Sequence, residues 1–304
     1  MKPFWVFSGQ GAQTPGMGRD FYEHSAAARQ VFEAADAALG YPLTDVIFNG
    51  PAEKLTSSIY CQCAIYATSC AALAAYREKL GDSVVRPVAC AGLSLGEYAA
   101  LYAAGCVDFA DGIRLLDRRG HLMDEACRRN SGKMASVLGG DPRVIEEVAS
   151  QFDIDVANYN CPGQIVISGR SDRLEAAVAE LKNRNLRKVI VLNVAGAFHS
   201  RLMAEAGTAL AAALAEIDFK LTDIPVYHNR TAAPADSPEM IRKLLSEQVA
   251  GSVRWEECLR RAAASGADTV IEFGPGAVLT GLAKRTLSDV KLLNINSMDS
   301  LSAL

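Results

Sequence analysis

The chain has 304 residues, half of them apolar and 22% charged, with a net charge of −4. That length supports one large domain or two unequal ones, each with its own core. The slight acidity gives no general reason to expect nucleic acid or an anionic membrane surface as a partner, and no stretch approaches the apolar length that spans a bilayer.

Phe4–Ser8 reads as a buried first strand, an apolar run too short for a signal-peptide core. The turn Gly9-Gln10-Gly11 follows; it matches neither the dinucleotide nor the P-loop pattern and reads best as a source of backbone amides. Arg19–Leu39 is expected as one amphipathic helix, stopped by Gly40-Tyr41-Pro42. Gln62–Leu80 is apolar on most sides and is expected as a buried helix.

Residues 87–101 carry the strongest chemical signal. A short apolar run ends in Gly92-Leu93-Ser94-Leu95-Gly96, and an alanine-rich helical pattern follows. This is the strand, sharp turn and helix of a nucleophile elbow. The turn strains the serine backbone, and glycines on both sides remove the clash that side chains would make. Ser94 is thus a candidate nucleophile; a plain Gly/Ser turn is the alternative.

Asp108–Cys127 is a helix whose stripe of Leu115, Leu122 and Ala126 also holds Arg119. A guanidinium on an apolar face needs an anion, from the protein or from a ligand, unless it snorkels to the rim. After Gly132 the texture changes. Lys133–Leu138, Ile154–Tyr159, Gln164–Gly169 and Arg187–Val194 read as strands, Pro142–Gln151 and Ser171–Asn183 as helices, and Asn160–Gly163 as a turn. The order β-α-β-β-α-β is a ferredoxin-like unit. Beyond it come helices to Glu216, over 238–249, 255–265 and 279–285, and strands at 225–228, 269–273 and 291–295. The whole reads as α/β: a hydrolase-like parallel-sheet core from residues 1–130 and 200–304, with an inserted ferredoxin-like subdomain at 131–199.

A serine near neutral pH needs a base. His24 and His121 fall on polar helix sides; His199 and His228 end strands and compete for the role. His199, where the inserted unit returns to the core, is favoured. Neither loop has an obvious acidic partner, so a carbonyl is left to orient the ring. The eight cysteines form no C-x-x-C pair and read as reduced, buried hydrophobes of a cytoplasmic protein, with no metal site.

Taken together, Phe7–Gln13, Gly92–Tyr98, Arg118-Arg119-Gly120, Asn160–Gln164, Ala197–Ser200, Val253-Arg254-Trp255 and Phe273–Gly276, in that order, resemble the malonyl-CoA:acyl carrier protein transacylases over nearly the whole chain. The resemblance implies Ser94 as nucleophile and His199 as general base, then acid. It implies an oxyanion hole from the amides of Gln10 and Leu95, and Arg119 as partner of the malonyl carboxylate. Gln248 would orient His199 through its carbonyl; Gln62 would line the pocket, Asn160 its approach, and Phe198 with Leu95 would favour malonyl. It further implies no cofactor, coenzyme A thioester and acyl carrier protein as substrates, no nucleic acid, no membrane, and a monomer. Leu93 stands where the family usually has histidine, and Ser8, Cys63 and Ala197 replace usual prolines. An acyl-carrier hydrolase, a malonyl loader of a trans-acyltransferase polyketide synthase and a non-catalytic carrier-docking module are the alternatives.

Overall fold

A computed structural model describes residues 1–186 and 188–304. Among the described residues nine strands form two sheets: β1 (Pro3–Phe7), β2 (Ala89–Gly92), β3 (Gly132–Leu138), β4 (Asp155–Cys161), β5 (Gln164–Arg170), β6 (Lys188–Val191), β7 (Val226–Tyr227), β8 (Thr269–Phe273) and β9 (Lys291–Ile295). The expected start of β6 at Arg187 lies outside the described residues.

The larger sheet has the order β7-β2-β1-β8-β9, and every pair in it is parallel. Its central strand shows why these residues form it. Trp5 and Phe7 enter one apolar cluster, Phe4 and Val6 another, so alternate side chains feed cores on opposite faces. A strand covered on both sides must be apolar throughout, and all five residues of β1 are buried. The smaller sheet is antiparallel, in the order β4-β5-β3-β6 with two helices between its strands, which is the ferredoxin-like arrangement. It has a core of its own, built from Val137, Ile145, Val148, Ile167, Leu174 and Leu181 among others.

Several expectations shift. The helix expected over 19–39 is two, Arg19–His24 and Ala26–Leu39. Ser25 separates them with an extended backbone, and its hydroxyl accepts from the Ala28 amide at 3.0 Å. A cap hydrogen bond of this kind competes with helix continuation. Strand β4 runs on through Cys161, leaving only Pro162-Gly163 as the turn. The helix Ser58–Leu80 begins earlier than expected and, contrary to the sequence reading, Ser58–Ser83 is long and apolar enough to cross a membrane. Of its most apolar window, 83% is buried inside the protein, the condition of a core helix. All eight cysteines are free, seven of them buried.

Candidate active site

The carboxyl ends of three adjacent strands, β7, β2 and β1, place the turns that matter side by side. Ser94 follows β2 with φ of 54°, in the left-handed region that non-glycine residues avoid. The flanking glycines explain how this is possible. A Cβ on Gly92 would strike the backbone of Gly96, and one on Gly96 would strike the carbonyls of Phe7 and Ser8. The elbow is therefore pressed against the end of β1, and the two glycines are its sterically required members. Gly9, in the turn after β1, comes so near that an added Cβ would lie 2.6 Å from the Leu93 carbonyl oxygen.

His199 also has a left-handed backbone, φ 55°, in a turn pinned by a 2.6 Å hydrogen bond from the Ser200 hydroxyl to the Ala197 carbonyl. Its Nε2 lies 2.8 Å from Ser94 Oγ, and its Nδ1 lies 2.8 Å from the backbone carbonyl of Gln248. A carbonyl can only accept, so Nδ1 carries the hydrogen. In the neutral ring Nε2 is then bare, free to take the Ser94 proton. Burial, with the Arg119 charge adding to it, pushes the His199 pKa down to about 4, so the ring is neutral at pH 7.

Arg119 is 1% exposed. It reaches the site because its helix, Phe109–Arg129, approaches Ser58–Leu80 closely: a Cβ on Gly120 would sit 2.5 Å from the Ser58 carbonyl oxygen. The guanidinium donates from Nη1 to Gln62 Oε1, and from Nη2 to Ser94 Oγ at 3.1 Å and Gln248 Oε1 at 3.0 Å. Each of these partners is neutral, and the buried Nε has none among the described residues. Burial pulls the arginine's pKa down, against the opposing influence of Tyr98 and Glu97 nearby. A cation held 3.1 Å from the Ser94 hydroxyl, with a spare donor and only neutral hydrogen-bond partners among the described residues, is chemically suited to receive an anion.

The Ser94 amide donates to Asn229 Oδ1 at 2.7 Å and is thereby removed from any role toward an oxyanion. The amides of Gln10 and Leu95 find no protein acceptor among the described residues. Phe198 is buried beside His199. Asn160, expected on the approach, makes no hydrogen bond to Ser94, His199 or Arg119; its buried Oδ1 has no described partner. His228, the competing base, lies beneath the elbow with its Nδ1 2.6 Å from Glu97 Oε1, so it does have an acidic partner, contrary to the sequence reading. Leu93 packs against the cluster of Phe4 and Val6. Sequence reasoning assigned no role to Glu97 or Asn229. A glutamate in the first turn of a helix buried on all sides, Gly96–Ala104, was the available signal.

Residues 4–301 match the acyl transferase domain family. The chain is 38% identical over 302 residues, covering 98% of itself and 94% of the relative, to a malonyl CoA-acyl carrier protein transacylase of Bacillus subtilis. Among solved structures, an acyl-carrier-protein S-malonyltransferase of Bartonella henselae superposes with a TM-score of 0.95 at 38% identity, covering all of this chain and 98% of that one. A malonyl-transacylase in complex with a type II PKS acyl-carrier protein gives 0.93 at 35% identity, covering 100% and 98%.

Proposed function

The chain belongs to the malonyl-CoA:acyl carrier protein transacylases of the acyl transferase family, and from that premise we propose that it carries malonyl from coenzyme A to the phosphopantetheine thiol of an acyl carrier protein through a Ser94 ester. The observation that carries the reading is Arg119: a buried guanidinium with neutral partners, 3.1 Å from Ser94 Oγ, suits an acyl group that ends in a carboxylate. A plain acyl hydrolase would be better served by an apolar side chain there.

Each half-reaction balances on the dyad. Ser94 Oγ attacks the thioester carbonyl while its proton passes to His199 Nε2, held by the Gln248 carbonyl. The amides of Gln10 and Leu95 receive the oxyanion. As the tetrahedral intermediate collapses, the C–S bond breaks and His199 returns the proton to the departing coenzyme A thiolate. The carrier thiol then gives its proton to His199 and attacks the ester. The C–O bond breaks, and Ser94 takes the proton back. Arg119 holds the malonyl carboxylate throughout, within a pocket that Gln62 and Phe198 help to shape. No cofactor enters these steps. Eight free thiols suit a reducing cytoplasm, and the protein is taken to act there as a monomer, away from membrane and nucleic acid.

The test is mass measurement of the intact protein after incubation with malonyl-CoA, then with holo carrier protein. A malonyl adduct that is absent in Ser94→Ala and discharged onto the carrier is expected. No adduct, with hydrolysis of acetyl-carrier instead, would overturn the proposal.

A further inference from the structure

Beneath the elbow lies a buried acid that the two half-reactions do not use. Glu97 is fully buried, and three donors converge on its carboxylate. Gln248 Nε2 and the Asn229 backbone amide each reach Oε2 at 2.8 Å, and His228 Nδ1 reaches Oε1 at 2.6 Å. We propose that Glu97 is a positioning residue that holds nucleophile, base and arginine in one frame, acting through Gln248 and Asn229; this rests on the malonyl-transfer reading above.

A carboxylate offers only acceptors, so it determines which way round the Gln248 amide sits. The NH2 group is committed to Glu97 and to the Ser94 carbonyl at 3.0 Å. Only Oε1 is left to face Arg119, and the backbone carbonyl of the same residue receives His199 Nδ1. With the amide turned over, two donors would face each other at Arg119 and an oxygen would face the carboxylate. On the other side Asn229, fixed to Glu97 by its amide, spans the turn: its Nδ2 donates to the Gly92 carbonyl at 2.7 Å and its Oδ1 accepts from Ser94 N at 2.7 Å. One carboxylate is thus a single residue away from the nucleophile's backbone, the base and the arginine, although it touches none of the reacting atoms. The Glu97 carboxylate also opposes the downward pull of burial on the Arg119 pKa.

Glu97→Asp withdraws the carboxylate by one methylene while keeping its charge. The rate of malonyl adduct formation at saturating malonyl-CoA is expected to fall about 10- to 100-fold, the scale on which outer partners of site residues act. KM should change less than this rate, because Glu97 reaches the substrate only at second hand, through Gln248 and Arg119. In a Gln248→Ala background, where the side-chain link is already gone, the same change should cost less. Glu97→Met, similar in length but without the carboxylate's acceptors, is the second variant and carries the same expectations, with thermal melting reporting the folded fraction of each. Wild-type adduct rates in these folded variants, or an equal cost in both backgrounds, would overturn the proposal. If the unaltered protein forms no malonyl adduct, it is the transfer reading that fails.

Discussion

Replacing Arg119 with methionine removes a charge and keeps the volume. In the wild-type pocket a malonyl carboxylate can form two charge-assisted hydrogen bonds, each worth about 1.5–3 kcal/mol. The carboxylate does not meet a bare cation, however. Gln62, Gln248 and Ser94 already occupy the guanidinium, so part of the gain is an exchange of partners. The lower half of the range, about 3–4 kcal/mol, is therefore the net expectation, or about 10²- to 10³-fold in rate at about 1.36 kcal/mol per decade. The assay is quenched-flow mass spectrometry of the intact protein, with malonyl-CoA and acetyl-CoA compared side by side. Malonyl loading should fall by that factor, while acetyl loading, which never used the charge, should hold or rise. A folded Arg119→Met protein that loads malonyl at the wild-type rate would refute the assignment of Arg119 as anion receptor.

The pH dependence follows from the same charge. His199 accepts a proton only when neutral, so kcat/KM should stay level from pH 7 downward and fall as pH approaches about 4. In Arg119→Met that limb should move to higher pH, because one of the three causes lowering the pKa (burial, Arg119 and Arg230) is gone. For stability, the folded pKa of about 4 lies below the unfolded value of about 6.5, so the unfolded chain binds the extra proton between them. The contribution from a neutral His199 is full above pH 6.5 and drains away as pH falls toward 4, by about 3 kcal/mol at most; urea melts across that range would show it. Gly96→Ala drives a methyl into the Phe7 and Ser8 carbonyls and should lower both the melting temperature and the fraction of protein titratable by malonyl-CoA. Gly120→Ala meets the Ser58 carbonyl instead and should displace Arg119, lowering the preference for malonyl over acetyl more than it lowers acetyl loading itself.

What could be read from the sequence was what is local. The elbow announces itself because a left-handed serine between two crowded turns demands glycine at 92 and 96. Arg119 is visible because helical periodicity sets a cation among leucines. The pairing of His228 with Glu97 spans 131 positions, and nothing in either neighbourhood records it. His228 therefore read as an unpartnered loop histidine and a rival base. The cap at Ser25 was missed because the apolar period of 19–39 runs across it without a break. Asn160 was carried by its motif alone, and the structure gives it no bond to the dyad.

The two crossings between the core and the inserted unit pass against each other: a Cβ on Gly132 would lie 2.6 Å from that of Ala197. His199 stands two residues beyond this contact, and β4 ties the insert to the core a second time: Val253 N donates to the Ala157 carbonyl at 2.8 Å, Tyr159 N to the Val253 carbonyl at 2.9 Å, and the Ser252 hydroxyl to the Val156 carbonyl at 2.7 Å. The insert is thus clamped at two separate places and not hung from one. A histidine just past the first clamp inherits the rigidity of both, so its distance to Ser94 is set by the docking of the two bodies as well as by the bond from its own Nδ1.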